Sequence, residues 1–373
     1  MELRLTFPQK IIFGCGAFRS LAEEIACLGK KPLGVTGQTW FRASGRLDEM
    51  VALLARQGLD AVLFEGVEPE PQLATVQKGM DLMRASGADC VVAVGGGSVI
   101  DVGKAVACLA AHPGKAGEYF RGREVPAPGY SMVAVPTTAG TGAEATKNAV
   151  ILDPASGEKT SIRSEHMIPR VAIVDPELAF DMPPEVTAQS GMDAFTQAVE
   201  SYVSTRVSPA TEELSFSAAG LVGRNLLAAY RDGSNREARE AVALGSLLAG
   251  MALNNAGLGL VHGLAHPLGA AVGIPHGLVC AILLPPVIEY NHQVCAERYA
   301  ALAREVGAPG DGLAAFARSM NATMGIPAGL SQFGLTANMT DDIAARALKA
   351  GSTRTNPKPP TREDVKAILF RLL

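Results

Sequence analysis

Apolar and polar positions follow two different rhythms along the chain. In the first half, short β-branched runs that end in glycine alternate with helical patterns. The pattern predicts strands at 32–37, 60–67 and 89–98, a further strand-then-glycine unit at 131–144, and helices at 47–58 and 98–111. Alternating strands and helices are typical of an open α/β sheet with parallel strands. Ligands of such sheets bind at the carboxyl ends of the strands, where these glycine turns lie.

Beyond about residue 183 the strand patterns almost vanish. A proline-containing stretch, MPPEVTAQSG, leads into long helical patterns at 187–204, 209–231, 236–256, 295–307 and 312–324. Near the C-terminus, Thr361 followed three residues later by Asp364 predicts the cap of a final helix. We therefore predict an α/β N-terminal domain over residues 1–183 and an all-α C-terminal domain over residues 184–373.

Composition narrows the classes of protein. The chain has 373 residues, of which 48% are hydrophobic and 19% are charged, as expected for a globular enzyme with two domains. Its net charge of −4 provides no basic surface for nucleic acid or an anionic membrane. The first ten residues lack the apolar core of a signal peptide, and the apolar run 278–288 is broken by proline and shorter than the roughly 20 residues of a membrane span. We expect a cytoplasmic protein without a membrane segment.

The six cysteines are scattered and form no CxxC pair. They are Cys15, Cys27, Cys90, Cys108, Cys280 and Cys295. In a chain of this size we expect reduced thiols that act as small apolar fillers.

Two glycine turns predict a phosphate-binding edge. The segment 95-GGGSVID-101 follows a strand and opens a helix, so its glycines would let an anion reach the N–H groups of the first helical turn. It matches neither GxGxxG nor a P-loop, and it could equally be a tight turn that packs helix on sheet. The second turn, 136-PTTAGTGAE-144, adds the hydroxyls of Thr137, Thr138 and Thr141. Two such turns favour a dinucleotide.

The end of the first predicted strand, 32–37, bears on the choice between NAD and NADP. Gly37 stands where a carboxylate could bind the adenosine ribose of NAD, and Arg42 follows nearby. A carboxylate would repel the 2′-phosphate of NADP, so its absence admits NADP. Both NAD and NADP stay open.

A second group of polar residues has the spacing of a metal site. In 191-GMDAFTQAVE-200, Asp193 and Gln197 lie four apart, which places both side chains on one helix face. His262 and His266 have the same spacing, and His276 follows a proline turn that can bring it back to the same point. A single histidine on an apolar helix is usually a core residue, but three so close together favour a functional role.

Gln197 is the unusual member of this group. Its neutral amide oxygen can coordinate a hard cation but is a poorer donor than imidazole for iron or zinc. It could equally be a hydrogen-bonding residue behind the ligands. The remaining histidines, His112, His166 and His292, are expected to be surface or structural residues.

Seven segments of the chain together resemble the iron-containing (group III) alcohol dehydrogenase family. They are 11-IIFGCGA-17, GGGSVID, PTTAGTGAE, 169-PRVAIVDPEL-178, GMDAFTQAVE, HGLAHPLG with IPHG, and the closing NPKPPTREDV. They extend over nearly the whole chain in the family's order. The resemblance implies a Rossmann-like dinucleotide-binding domain followed by a helical metal and substrate domain, a fold shared with dehydroquinate synthases.

The resemblance also implies roles for individual residues. The implied cofactor-binding residues are Gly37, Gly96, Gly97, Ser98, Asp101, Thr137, Thr138, Thr141, Asn148 and Lys159. Asp193, His262 and His276 match three of the family's four metal ligands, and Gln197 stands where the fourth is usually a histidine. His266 matches the histidine near the nicotinamide and substrate that is often assigned to proton transfer.

The implied activity is hydride transfer between NAD or NADP and a small alcohol or its aldehyde or ketone. A divalent metal, Fe²⁺ or Zn²⁺, would polarise the carbonyl group, and His266 would deliver the proton. Gln197 leaves open a metal-independent reductase similar to the maleylacetate reductases. A lyase similar to the dehydroquinate synthases and a nucleotide-binding protein with weakened catalysis also stay open.

The expected partners follow from the same reasoning. We expect a small-molecule substrate, no nucleic acid and no membrane, and the resemblance implies a homodimer or a higher homo-oligomer.

Overall fold

A computed structural model describes residues 3–310 and 312–373, which form two compact units. The sheet unit consists of Thr6–Thr138 and Gly142–Ala179. The helical unit consists of Ala139–Thr141 and Phe180–Leu373, together with residues 3–5. The predicted boundary between the two domains, between residues 183 and 184, stays a prediction.

The sheet unit is built on parallel strands. Within the described residues, six strands form one sheet. Each neighbouring pair is parallel, as the sequence pattern predicts. The strands are β1 Lys10–Phe13, β2 Pro32–Gly37, β3 Val62–Val67, β4 Cys90–Gly95, β5 Ser131–Pro136 and β8 Val171–Val174. They lie side by side in the order β1–β8–β5–β4–β2–β3. The helices of this unit are α1 Leu21–Ala26, α2 Trp40–Ala43, α3 Arg46–Arg56, α4 Leu73–Ser86, α5 Gly97–Leu109 and α6 Ala116–Phe120.

Strand β4 explains why helices cover both faces of the sheet. Val91 and Ala93 belong to one core cluster with residues of α4 and α5, whereas Val92 and Val94 belong to another with residues of α1 and α3. Successive side chains of a strand point to opposite faces, so an unbroken apolar run requires a core on each side. This is why apolar residues in the run CVVAVG do not alternate with polar ones.

The order of the strands reverses between β2 and β4. From β2 the chain passes to β3 at one edge, and from β4 it continues to β5 and β8 on the other side. Open α/β sheets bind ligands outside the carboxyl ends of the strands at such a switch point. Because β2 ends at Gly37 and β4 ends at Gly95, the predicted glycine turn lies there.

An antiparallel hairpin was not predicted from the sequence. Strands β6, Asn148–Asp153, and β7, Glu158–Arg163, pair with each other outside the main sheet. Gly157 in the connecting turn has a φ of 67°, a conformation that favours glycine. The hairpin buries Ala149, Ile151 and Ile162 in the core shared with α4 and α5.

The helical unit agrees with the predicted helical half. The described residues from 180 onward contain no strand. The α-helices are α7 Pro184–Val203, α8 Pro209–Arg231, α9 Arg236–Ala256, α10 Leu260–Val272, α11 His276–Glu305, α12 Gly312–Thr323, α13 Thr340–Lys349 and α14 Arg362–Phe370. The predicted cap of α14 is present, because Thr361 Oγ1 accepts from the Asp364 N–H at 3.2 Å and Asp364 Oδ2 accepts from the Thr361 N–H at 2.9 Å.

The predicted helix at 295–307 was too short at its N-terminal end. Helix α11 begins at His276 and continues through Pro285 and Pro286. A proline inside a helix costs roughly 3 kcal/mol, which is why the two residues read as a break in the sequence. Both prolines are buried, so core packing outweighs the local preference.

Helix α11 is also long and apolar enough to cross a membrane by length and composition alone. In this structure, however, 67% of its most apolar window is buried inside the fold. Such burial is typical of the core helix of a globular protein.

Candidate active site

Helix α7 carries three polar side chains along one face. Asp193, Gln197 and Glu200 follow one another at intervals of four and three residues, the spacing of a single helical face. All three are buried. The Gln197 Nε2 donates to Asp193 Oδ2 at 3.0 Å, so the glutamine helps to orient the carboxylate.

Glu200 binds the first turn of α10. Its Oε1 accepts from the Val261 N–H at 2.6 Å, and its Oε2 lies 2.6 Å from His262 Nδ1. The Leu260 N–H donates to Asn356 Oδ1 at 3.1 Å, so the closing NPKPP segment holds the same helix end. Helix N-termini leave backbone donors without helical partners, and these two side chains satisfy them.

The contact with Glu200 also determines which ring nitrogen of His262 is available as a ligand. A carboxylate at Nδ1 favours the tautomer with the proton on that atom, which leaves the Nε2 lone pair available. That Nε2 lies 3.3 Å from Asp193 Oδ1. His262 therefore presents its Nε2 beside a carboxylate.

His276 reaches the same point from the start of α11. Its Nε2 lies 3.7 Å from Asp193 Oδ1. The next residue, Gly277, allows this approach, because a Cβ there would overlap the carbonyl oxygen of Gln189 on α7. The ring of His276 stacks on that of His266 with centres 5.2 Å apart.

Cys280 completes a group of four possible ligands. Its Sγ lies 3.6 Å from His276 Nε2 and 3.9 Å from His262 Nε2. One ligand atom from each of Asp193, His262, His276 and Cys280 lies within 4.8 Å of all the others.

The sequence analysis singled out neither Cys280 nor Glu200. A signal was available for each, since Cys280 follows His276 by four residues and Glu200 follows Asp193 by seven.

Mutual contacts shift the acidities of these buried groups. Burial opposes ionisation of Asp193, but His276 and His262 outweigh it and hold the pKa of this carboxyl below its usual value. Burial lowers the pKa of His262, whereas Cys280, Asp193 and Glu200 together raise it well above the usual value. Burial raises the pKa of the Cys280 thiol to about 12. A buried anionic group of this kind requires a proton or a metal cation for charge balance.

The glycine turn in the sheet unit is shaped by close packing. A Cβ at Gly95 would lie 2.6 Å from Val99 Cβ, so only glycine fits there without a shift. A Cβ at Gly96 would lie 3.5 Å from Thr138 Oγ1, which is an ordinary contact. Gly96 caps the N-terminus of α5, whose first residues are Gly97 and Ser98, so free N–H groups are presented at the switch point.

Other predicted cofactor residues are engaged within the sheet unit. Asp101 Oδ2 accepts from the Val150 N–H at 2.8 Å, and its Oδ1 lies 2.8 Å from the buried Lys104 ammonium. Lys104 also donates to the backbone oxygen of Asn148. Lys159 is paired with Glu70.

The remaining predicted cofactor residues differ in where they lie. Thr137 bonds through its N–H to the Gly95 oxygen at 3.0 Å, next to the glycine turn. Gly37 lies near the same point, since a Cβ there would be 3.7 Å from Val99 Cγ2. Thr141 belongs to the helical unit.

Family comparisons identify what this arrangement is. The profile described as iron-containing alcohol dehydrogenase matches residues 8–176. The profile described as the C-terminal part of the Fe-containing alcohol dehydrogenase family matches residues 187–373. The chain belongs to the iron-containing alcohol dehydrogenase family.

Individual relatives extend over the full length of the chain. It is 37% identical to the NADPH-dependent butanol dehydrogenase of Clostridium saccharobutylicum, over 98% of this chain and 97% of that protein. It is 38% identical to the 1,3-propanediol dehydrogenase of Citrobacter freundii, also over 98% and 97%. The crystal structure of a 1,3-propanediol oxidoreductase is 36% identical and matches 100% of both chains with a TM-score of 0.95.

These comparisons confirm the predicted resemblance, fold class and enzyme class. The chain is an oxidoreductase of the alcohol dehydrogenase type. The family uses NAD(P) and a divalent metal, in agreement with both predicted cofactors. Roles of individual residues stay predictions.

Proposed function

We propose that the chain interconverts a small alcohol and its aldehyde or ketone by hydride transfer with NAD or NADP, assisted by a divalent cation. The observation that carries the metal part is the cluster containing Asp193, His262 and His276, whose ligand atoms lie within 4.8 Å of one another. Glycine turns at the strand ends support the coenzyme part.

The donor set fits a divalent cation. Asp193 Oδ1 lies 3.3 Å from Nε2 of His262 and 3.7 Å from Nε2 of His276. Oxygen and nitrogen ligands with metal bonds of about 2.0–2.1 Å and tetrahedral angles lie about 3.4 Å apart. Gln197 is one candidate for the fourth ligand, since its Oε1 is buried and has no hydrogen-bond partner among the described residues.

Each part of the site would contribute one element of the chemistry. A bound cation would supply Lewis-acid chemistry, which lowers the energy of negative charge on the substrate oxygen. NAD(P)H would supply the hydride. His266 would give or take the substrate proton at Nε2, the ring nitrogen opposite its buried Nδ1. Stacking on His276 would hold the His266 ring in position.

For the coenzyme we propose the glycine turn at the switch point of the sheet. The N–H groups of Gly97 and Ser98 would bind the pyrophosphate, and Gly96 would let it approach. Asp101 would act as a positioning residue, because it ties the hairpin to α5. The residues proposed to complete the pocket are Gly37, Thr137, Thr138, Thr141, Asn148 and Lys159.

We also propose a cytoplasmic homodimer or higher homo-oligomer. The support for association is β1, which lies at the edge of the sheet and exposes 36% of Phe13. Light scattering on the purified protein measures the number of chains directly.

The test of this function combines metal content with turnover. We expect about one metal ion per chain after purification without oxygen or chelator, and oxidation of NADH or NADPH by small aldehydes. Removal of the metal should abolish turnover, and its return should restore it. Turnover that survives metal removal would contradict the metal step and favour the metal-independent reductase that Gln197 suggests. A lyase would convert its substrate without net oxidation of the coenzyme.

A further inference from the structure

We infer that the thiolate of Cys280 is the fourth protein ligand of the metal, in the place left by Gln197, and that the site therefore favours zinc over manganese and magnesium. This inference rests on the proposed function, because it assumes that the cluster on α7, α10 and α11 binds a divalent cation. It assigns a ligand that the sequence pattern had treated as an apolar filler.

The first argument is the geometry of the four donor atoms. The sulfur lies 3.6 Å and 3.9 Å from the Nε2 atoms of His276 and His262. Zinc bonds of about 2.3 Å to sulfur and about 2.0 Å to nitrogen, at tetrahedral angles, separate a sulfur and a nitrogen ligand by about 3.5 Å. Asp193 Oδ1 lies 3.3 Å and 3.7 Å from the Nε2 atoms of His262 and His276. These four distances agree with four of the six edges of a tetrahedron of donor atoms around one metal ion.

The second argument is charge. Asp193, His262 and Cys280 are each buried, with side chains at most a few per cent exposed. A dication held by Asp193, two neutral imidazoles and an amide would keep a net positive charge among its direct ligands, because Glu200 contacts Nδ1 of His262 and not the metal-facing Nε2. A Cys280 thiolate beside the Asp193 carboxylate neutralises the dication within its own set of ligands, while Glu200 keeps its hydrogen bonds to Val261 and His262.

The third argument is the position of Gln197. Its amide nitrogen already donates to Asp193 Oδ2 at 3.0 Å. Its Oε1 is a neutral donor, and zinc prefers thiolate and imidazole to an amide oxygen. Gln197 is therefore a positioning residue for the carboxylate, and Cys280 binds the metal.

Binding of the cation by Cys280 requires only that the thiol lose its proton. The S–H bond of Cys280 breaks, its proton leaves to solvent, and the sulfur lone pair binds the cation. No oxidant or reductant is required. A soft thiolate in the set favours zinc over manganese and magnesium, which prefer oxygen ligands.

X-ray absorption on the zinc-loaded protein tests the inference without using activity. We expect one sulfur neighbour at about 2.3 Å and nitrogen or oxygen neighbours at about 2.0–2.1 Å. Cys280→Ser should lose the sulfur neighbour. Cys295→Ser is the matched control, because it removes another buried cysteine of the same helix outside the cluster, and it should keep the sulfur neighbour. Gln197→Ala should keep it as well.

Two further measurements support the assignment. Cobalt-loaded wild-type protein should show an intense sulfur-to-cobalt charge-transfer band that Cys280→Ser lacks. Loss of the ligand should weaken zinc binding by roughly 100-fold or more, since even loss of a residue that only supports a ligand weakens it 10- to 100-fold. If Cys280→Ser fails to fold, the X-ray absorption spectrum of the zinc-loaded wild type still shows whether sulfur binds the metal.

Contrary outcomes separate this inference from the proposed function. A bound metal with only nitrogen and oxygen neighbours would overturn the role of Cys280 and leave the metal-assisted function in place. A sulfur neighbour that persists in Cys280→Ser would overturn it equally. Absence of any bound metal would overturn both the ligand assignment and the metal step, while hydride transfer with NAD(P)H would then be tested by turnover alone.

Discussion

The two candidate sites in this chain consist of different kinds of chemical group. The proposed nucleotide edge of the sheet unit consists of backbone N–H groups and small residues that are consecutive in sequence, at Gly95–Ser98. The metal cluster of the helical unit collects side chains from α7, α10 and α11. The first depends on close packing around glycine, and the second depends on charge balance in a buried place. Substitutions should therefore damage the two sites in different ways.

The largest effect is expected from the charge of the cluster. Asp193→Asn keeps the shape of the side chain but removes the carboxylate ligand, so metal binding should be lost and kcat/KM should fall by about 10²–10³ or more. Metal content and steady-state kinetics measure this. His292→Ala, an exposed histidine of α11 outside the cluster, is the control and should change neither quantity. An Asp193→Asn protein with full metal content would show that the cluster is not the metal site.

A smaller loss is expected when the ligand stays and only its support changes. Glu200→Gln weakens the acceptor at His262 Nδ1, so metal affinity should fall roughly 10- to 100-fold. Competition with a chelator of known affinity measures the change. Glu297→Gln, at an exposed position of α11, should leave the affinity unaltered. An unchanged affinity in Glu200→Gln would mean that the contact orients α10 without tuning the ligand.

At the nucleotide edge, two neighbouring glycines should separate stability from binding. Gly95→Ala places a Cβ 2.6 Å from the branched Val99 side chain and should lower the free energy of unfolding by about 1–3 kcal/mol. Gly96→Ala meets only an ordinary contact with Thr138 and should leave stability almost unchanged. It should instead raise the KM for the coenzyme, because we propose that the pyrophosphate approaches this backbone. Chemical denaturation and coenzyme titration distinguish the two, and equal losses of stability would contradict this division.

The smallest effect concerns a buried charge in the sheet unit. Burial raises the pKa of Glu144 to about 7, opposed by its backbone N–H and by Lys104. Because the folded pKa exceeds the ordinary value of 4.5, this group's contribution to stability is full below pH 4.5 and is lost as the pH rises through about 7.

The matched variant for this group is Glu144→Gln. From about pH 6 to about pH 8 the wild type should lose on the order of 1 kcal/mol of unfolding free energy relative to the variant. Urea titrations at the two pH values measure this difference. A constant difference would show that Glu144 does not titrate in this range.

Much of the fold could be predicted from local patterns. The predicted helices at 209–231 and 236–256 coincide with α8 and α9, and the predicted strand at 32–37 coincides with β2. The first part of α11 was missed because Pro285 and Pro286 interrupt the pattern. The hairpin of β6 and β7 was missed because its partly buried face gives only a weak alternation.

The sequence by itself determined the parallel sheet, the helical half, the glycine turn and the family, because each depends on residues that are close together or in a characteristic order. It also indicated Asp193, His262 and His276, whose helical spacing and residue types are informative without coordinates. Only the tertiary structure brought Cys280 and Glu200 to the same histidine. A contact between residues on different helices leaves no local period in the sequence, and the burial that makes a thiolate and a carboxylate suitable partners for a cation exists only after the helices have packed.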